Sequence, residues 1–166
     1  MSNKLKEVVI ISAIRTPIGI YKGSLKNLKS DQLGSIVIKE VLKKSKFTGD
    51  EIDEVIMGQV LTAGAGQNPA RQAAVRAGIP ISKPAHIVNQ VCGSGLRAVI
   101  SGYQSIKLGE SNNVISGGQE NMSLAPHSIF YRDEKKISED KLLDTMVYDG
   151  LIAVSYTHLR AHETDI

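Results

Sequence analysis

The sequence predicts an α/β fold: a mixed, mostly parallel sheet flanked by helices. Three features predict it. Short apolar, β-branched runs alternate with helix-like segments four times along the chain. The first run is almost continuously apolar, the pattern of a strand buried on both faces of a parallel sheet. Glycine, or an Asn-Pro pair, stands at the expected helix ends.

Lys6 to Ala13 (KEVVIISA) is the first predicted strand, broken by Arg15-Thr16-Pro17 and followed by an irregular stretch with Gly19 and Gly23. A helix is expected from Asp31 to Lys44, with Ser30 or Asp31 as N-cap and Leu33, Ile36, Val37, Val41 and Leu42 as its apolar face. Val55 to Val60 reads as the second strand. Asn68-Pro69 offers a capping side chain and then proline at the first helical position, and Gly78 stops that helix. His86 to Val91 is the third strand. From Cys92 a helix runs to Leu108, with Leu96, Val99, Ile100, Tyr103 and Ile106 on one face and Gly109 closing it. Asn113 to Ser116 is the fourth strand, ending in Gly117-Gly118. Residues 119–150 are polar, carry the charged run Arg132 to Lys136 and contain no clear strand. No internal repeat or low-complexity segment is present.

The 166 residues, 42% apolar and 22% charged, suit one soluble globular unit rather than a disordered chain. Few aromatics, five Tyr and two Phe with no Trp, argue against a base-stacking nucleic-acid platform. Residues 1–50 hold ten Lys/Arg against four Asp/Glu, and residues 51–166 hold ten against thirteen. The basic start reads as a solvated face before it reads as an anion site. No apolar run is long enough for a signal peptide or a membrane span, so a cytoplasmic chain is expected. One cysteine, Cys92, excludes an internal disulfide framework and a cysteine-rich metal site.

The informative stretch is Asn89-Gln90-Val91-Cys92-Gly93-Ser94-Gly95-Leu96-Arg97. A strand ends and a cysteine stands at the start of the next helix, at the carboxyl edge of the sheet where ligands bind. Helix N-terminal N–H groups favour a thiolate there and can hold an oxyanion. Gly93 and Gly95 leave the sulfur unobstructed. A helix start supplies roughly 0.3–1 kcal/mol, about 2 at most, too little to ionise a thiol fully at neutral pH. A base, normally histidine, must complete the activation. On physics alone Cys92 reads equally as nucleophile and as an inert small hydrophobe.

NQVCGSGLRAV (Asn89 to Val99) closely resembles the nucleophile motif of the thiolases. VVIISAIRTPIG (Val8 to Gly19) resembles that family's first strand and turn, GQNPARQAA (Gly66 to Ala74) its second motif, and SGGQENMSLAP (Ser116 to Pro126) the segment after its fourth strand. Asp149-Gly150-Leu151 matches the sequence leading into the coenzyme A loop region. The resemblance spans residues 5–151, with the loop region beginning near 119, and is closer to acetyl-CoA acetyltransferases than to degradative 3-ketoacyl-CoA thiolases. It implies an incomplete thiolase-like fold, the N-terminal half. Cys92 would be the catalytic nucleophile that carries the acyl group as a thioester, its backbone N–H in an oxyanion hole. Leu151 would contact substrate. Acetyl-CoA and acetoacetyl-CoA would be substrates, with no permanently bound cofactor, no metal, no nucleic acid and no membrane. A homodimer or homotetramer is implied for the complete protein.

Departures from the family are equally informative. Thiolases are more than twice this long, and their second half supplies the activating histidine and a second cysteine. The chain alone is therefore expected to be inactive, and a truncated, non-catalytic binding or assembly protein is the alternative from another class. Residues 152–166 depart from the family abruptly and are read as a foreign tail resembling translated sequencing-adaptor read-through. His158 and His162 in that tail have metal-compatible spacing but no partner ligand. His86 and His127 are expected to be ordinary strand-start and loop residues. Gln67 to Ala77 reads equally as a packing helix and a site-shaping one, and Arg132 to Lys141 as a solvated loop that the family uses in subunit assembly.

Overall fold

The computed structural model describes residues 7–130 and 142–152. Among them a three-layer α/β sandwich is built from α1 (Ser30–Ser45), β1 (Glu54–Gly58), α2 (Pro69–Ala77), β2 (Ala85–Val88), α3 (Ser94–Leu108) and β3 (Val114–Gly118). The sheet is parallel throughout, in the order β2-β1-β3. β1 pairs Val55 with Ala85 on one side and with Ile115 on the other. Val55, Met57 and Ile115 face α1 and α2, forming the main core with Ile38, Ala70, Ala73 and Ala74. Ile56 points to the opposite face by strand alternation and is also buried. A central strand covered on both sides explains why EVIMG carries a nearly unbroken apolar run.

α2 forms as its local signals demand. The Asn68 side chain accepts the Arg71 N–H at 3.1 Å, and Gly78 closes the helix at φ 94°. α1 differs at its cap. Its N-cap is Lys29, not Ser30 or Asp31, because Asp31 is turned inward to Arg76, Oδ2 to Nε 2.6 Å. The Gln32 side chain instead accepts the Lys29 N–H at 2.8 Å.

The buried faces of the helices also differ from those expected. α1 buries Ser30, Asp31, Gly34, Ser35 and Ile38, leaving Ile36 exposed, while Val41 and Leu42 only border the core. α3 buries Ser94, Ala98, Gly102 and Ser105, and exposes Leu96, Val99, Ile100 and Tyr103. Small residues let each helix lie close to its neighbour. A Cβ on Gly102 would stand 3.1 Å from Val114 Cγ1, and one on Gly34 would stand 3.2 Å from Ala73 Cβ.

The strands differ from expectation in three main places. Residues 7–13 of the first form no strand, with Val9, Ile10 and Ile11 exposed; Lys6 lies outside the described residues. The segment stands across a groove of about 490 Å³ from β3, α1 and α3, so it has no ladder to join. The third strand stops at Val88 rather than Val91, because Val91 turns to φ 48°. Beyond Gly118, where no strand was expected, β4 (His127–Ser128) pairs antiparallel with β5 (Leu143–Asp144). A single π-helical turn follows, Met146–Leu151. The run Arg132 to Lys141 lies outside the described residues, as do His158 and His162.

At the amino edge of the sheet, Asp53 accepts the Asn112 N–H at 2.7 Å and the Asn113 N–H at 3.1 Å, tying the start of β1 to the start of β3. These two donors, the Asn112 one foremost, hold its carboxyl below the usual carboxylate value. A depressed folded value contributes stability that is complete above the unfolded pKa and is lost as pH falls through the folded one. Asp53→Asn is therefore expected to cost about 1 kcal/mol at pH 7, a figure kept small by solvent screening. In urea titrations the gap from the parent sequence should close as the pH is taken below the carboxylate range.

Candidate functional site

The carboxyl ends of the three parallel strands converge where α3 begins. Gly58 ends β1 beneath that first helical turn. A Cβ there would lie 2.3 Å from the Ser94 carbonyl carbon and 2.5 Å from the Gly95 nitrogen, so only glycine admits the helix at this distance. Gly118 lies alongside at a looser distance, a Cβ on it falling in ordinary contact, 3.4 Å from Gly95 Cα. Backbone rests on backbone, and the head of α3 is set directly on the sheet edge.

Cys92 lies in the turn just before that helix and is an exposed free thiol. The helix starts at Ser94 with Gly93 as N-cap, two residues later than the sequence suggests, so the thiol precedes the first helical turn instead of belonging to it. Val91, immediately before it, adopts the left-handed conformation at φ 48°, which costs a β-branched residue about 1–2 kcal/mol. Side chains on either side hold it there. Asn89 Oδ1 accepts the Val91 N–H at 3.0 Å, while Ser94 Oγ donates to the Val91 carbonyl at 2.5 Å and accepts the Gln90 N–H at 2.9 Å. Ser94 is buried, so the clamp is fixed to the core side of the helix.

A polar network lies at the same edge of the sheet, on its α1 side, where the Gln119 side chain meets Gly34. Gln119 donates from Nε2 to Gln59 Oε1 at 2.9 Å, and Gln59 donates from Nε2 to the Leu61 carbonyl at 2.8 Å. Glu120 accepts the Val60 and Leu61 N–H groups on Oε2, at 2.8 and 3.2 Å. Burial pushes the Glu120 carboxyl above its ordinary value, while the N–H groups of Val60, Leu61 and Asn121 pull the other way. Asn121 in turn reaches the carbonyls of Leu25, Lys26 and Leu28, anchoring the segment ahead of α1.

Leu151 ends the π-helical turn and is half-exposed. Its neighbour Gly150 packs on the same Val60–Leu61 segment, where a Cβ would stand 3.2 Å from Leu61 Cδ2 and 3.9 Å from Val60 Cγ1. Leu151 thus lies at the same end of the sheet as Cys92. Of the described histidines, His86 does not. His86 sits in β2 with Nδ1 3.3 Å from Glu54 Oε1, toward the amino end of the strands, and His127 is exposed on β4. α2 packs its buried face on α1 and the sheet. Among the described residues no three His, Cys, Asp or Glu side chains group to hold a metal, and no helix is long and apolar enough to cross a membrane. Sequence reading passed over Gly58 and assigned no role to Glu120. A glycine closing an apolar strand was the available signal for the first.

The fold and site together define a parallel α/β domain that presents one thiol at the ligand-binding edge of its sheet. The chain belongs to the thiolase family: the family model for the thiolase N-terminal domain matches residues 8–165, a span that includes most of the tail set apart in the sequence. It is 50% identical over 148 residues to the acetyl-CoA acetyltransferase of Cupriavidus necator, a match covering 89% of this chain and 38% of that protein. Identity to the acetyl-CoA acetyltransferase of Paracoccus denitrificans is 48% over 147 residues, again covering 89% and 38%. The cytosolic acetyl-CoA acetyltransferase of Rattus norvegicus is 53% identical over 144 residues, covering 87% and 36%. The chain therefore spans well under half the length of these relatives.

The glycine contact under α3 is directly testable. Gly58→Ala is expected to destabilise the chain by about 1–3 kcal/mol, because the obstructing atoms are backbone and cannot swing aside. Gly117→Ala, whose new methyl would meet nothing within 4 Å, should fall within about 0.5 kcal/mol of the parent. Parallel urea unfolding curves measure both.

Proposed function

We propose that this chain is the nucleophile-bearing N-terminal portion of an acyltransferase that condenses two acetyl-CoA molecules to acetoacetyl-CoA and free coenzyme A, and runs the reverse thiolysis. The observation that carries the reading is the exposed Cys92 thiol, held at the head of α3 on the ligand-binding edge of the sheet. The Cys92 thiolate attacks the acetyl-CoA carbonyl. The carbon–sulfur bond to coenzyme A breaks, coenzyme A leaves as its thiolate and takes up a proton, and the acetyl group stays on Cys92. A second acetyl-CoA, deprotonated at its methyl carbon, attacks that carbonyl and releases the cysteine. The Cys92 backbone N–H serves as an oxyanion donor. Leu151, at the same end of the sheet, contacts the coenzyme. The substrates are coenzyme A thioesters and the group transferred is held covalently, so the reading calls for no resident cofactor.

The relatives' names support acetyl-CoA over the longer chains of a degradative 3-ketoacyl-CoA thiolase. The complete protein is proposed to be a cytoplasmic homodimer or homotetramer, with residues 5–151 as its contribution here. Residues 152–166 are proposed to be foreign on the sequence alone, while the family model runs on to residue 165. Sequencing the gene past the Leu151 codon tests that reading.

One observation favours an inactive chain. His86, the histidine nearest Cys92 in sequence, is paired to Glu54 at the far end of the sheet and so does not stand as a base for the thiol. The 166-residue chain is expected to show no condensation or thiolysis of acetoacetyl-CoA in a coupled spectrophotometric assay. Incubated with acetyl-CoA, the full-length protein should carry its acetyl group on Cys92, as read by peptide mass spectrometry, and Cys92→Ala should abolish turnover. Acetylation at another residue, or turnover that survives Cys92→Ala, removes the mechanism.

A further inference from the structure

Glu120 has no part in the chemistry above, yet its carboxylate is the point through which three segments around Cys92 are joined. It receives the Val60 and Leu61 N–H groups across 60 and 59 residues of sequence. The turn so held touches both flanks of the site. On one side the Asn89 Nδ2 lies 3.5 Å from the Val60 carbonyl, and the Gln59 N–H donates to the Val88 carbonyl at 3.1 Å, directly before Asn89. On the other side Gly150, beside Leu151, packs on Leu61 and Val60.

We propose that Glu120 is a positioning residue for the acyl-transfer site, holding the Val60–Leu61 turn as the platform on which Asn89, and through it the Val91–Cys92 turn, is set. The role follows from the connectivity. Val91 is strained and half-exposed, so packing of its own side chain does not keep it in the left-handed region. What keeps it there is the pair Asn89 and Ser94. Ser94 is secured by burial in α3, whereas Asn89 is exposed and leans on the Val60 carbonyl. The position of that carbonyl depends in turn on the Glu120 acceptor one peptide away. An uncharged acceptor of the same shape would serve, so the requirement is for an oxygen at this point rather than for a charge.

The inference rests on the proposed function for the word acyl-transfer, and its test does not. In the 166-residue chain, hydrogen exchange at the Val91 amide and the rate of Cys92 alkylation by iodoacetamide are measured for Glu120→Ala and Glu120→Gln. Glu120→Ala is expected to speed exchange at Val60, Leu61 and Val91 by about tenfold and to slow alkylation at least threefold, leaving the amides of α2 at parent values. Glu120→Gln, which keeps an acceptor, should restore both readouts to within about twofold. The proposal falls if Val91 exchange or alkylation in Glu120→Ala stays at the parent value, or if Glu120→Gln is equally damaging. Should Glu120→Ala fail to fold, Asn89→Ala decides from the other end: Val91 must open while Val60 and Leu61 remain protected, and a Val91 that stays protected overturns the proposal. Coupling in this chain together with a full-length protein that takes no acetyl group on Cys92 from acetyl-CoA would refute the proposed function and leave the positioning role standing.

Discussion

The structure depends on a backbone-to-backbone contact at the carboxyl edge of its sheet. α3 starts closer to Gly58 than any side chain would allow, with Gly118 in contact beside it, and this fixes where the helix axis crosses the strands. Small residues farther along, Ala98, Gly102 and Ser105, keep the helix at that spacing down to the amino edge. The helix start, its free N–H groups and the turn that carries Cys92 are placed by this contact. The same constraint makes the site sensitive to changes that never touch the thiol.

A strained β-branched residue and several buried polar groups meet at that one end. Val91 in the left-handed region, the buried Gln59–Gln119 pair and the Glu120 carboxyl raised by burial all lie at the carboxyl edge of the sheet. Each would be unfavourable in isolation. Most of their hydrogen-bond partners are supplied by segments at the strand ends, which the sheet already holds in register, while Gln119 Oε1 is buried without a partner. The opposite end is simpler: Asp53 and Glu54 tie strand starts to neighbouring loops and to His86, and carry no comparable strain. Rigidity is thus spent where the thiol must be aimed.

The apolar surface adds a second theme. Leu96, Val99, Ile100 and Tyr103 on α3, with Ile36 on α1, stay exposed, although helical periodicity alone would bury them. A chain spanning well under half of its relatives has no need to bury every apolar face within itself. Periodicity identified the apolar stripes correctly and assigned them to the wrong side. The faces that pack internally are made of glycine, alanine and serine, which carry little hydrophobic signal in a sequence.

The sequence by itself determined the α/β class, the parallel alternation, the limits of α2 and the cysteine at a strand-to-helix junction. These rest on local chemistry: the Asn68 cap, Pro69, Gly78 and Gly109 act within a turn of their own positions. Only the tertiary structure decided which helix faces are buried, that residues 7–13 join no ladder, that Asp31 serves Arg76 instead of capping α1, and that β4 and β5 pair. Each of those depends on a partner far away in sequence. The role assigned to Glu120 is of the same kind, since nothing within ten residues of it marks Val60 and Leu61, sixty positions earlier, as its donors. Local backbone preferences are written beside the residue that has them, whereas packing and long-range hydrogen bonds are settled only when the whole chain is in place.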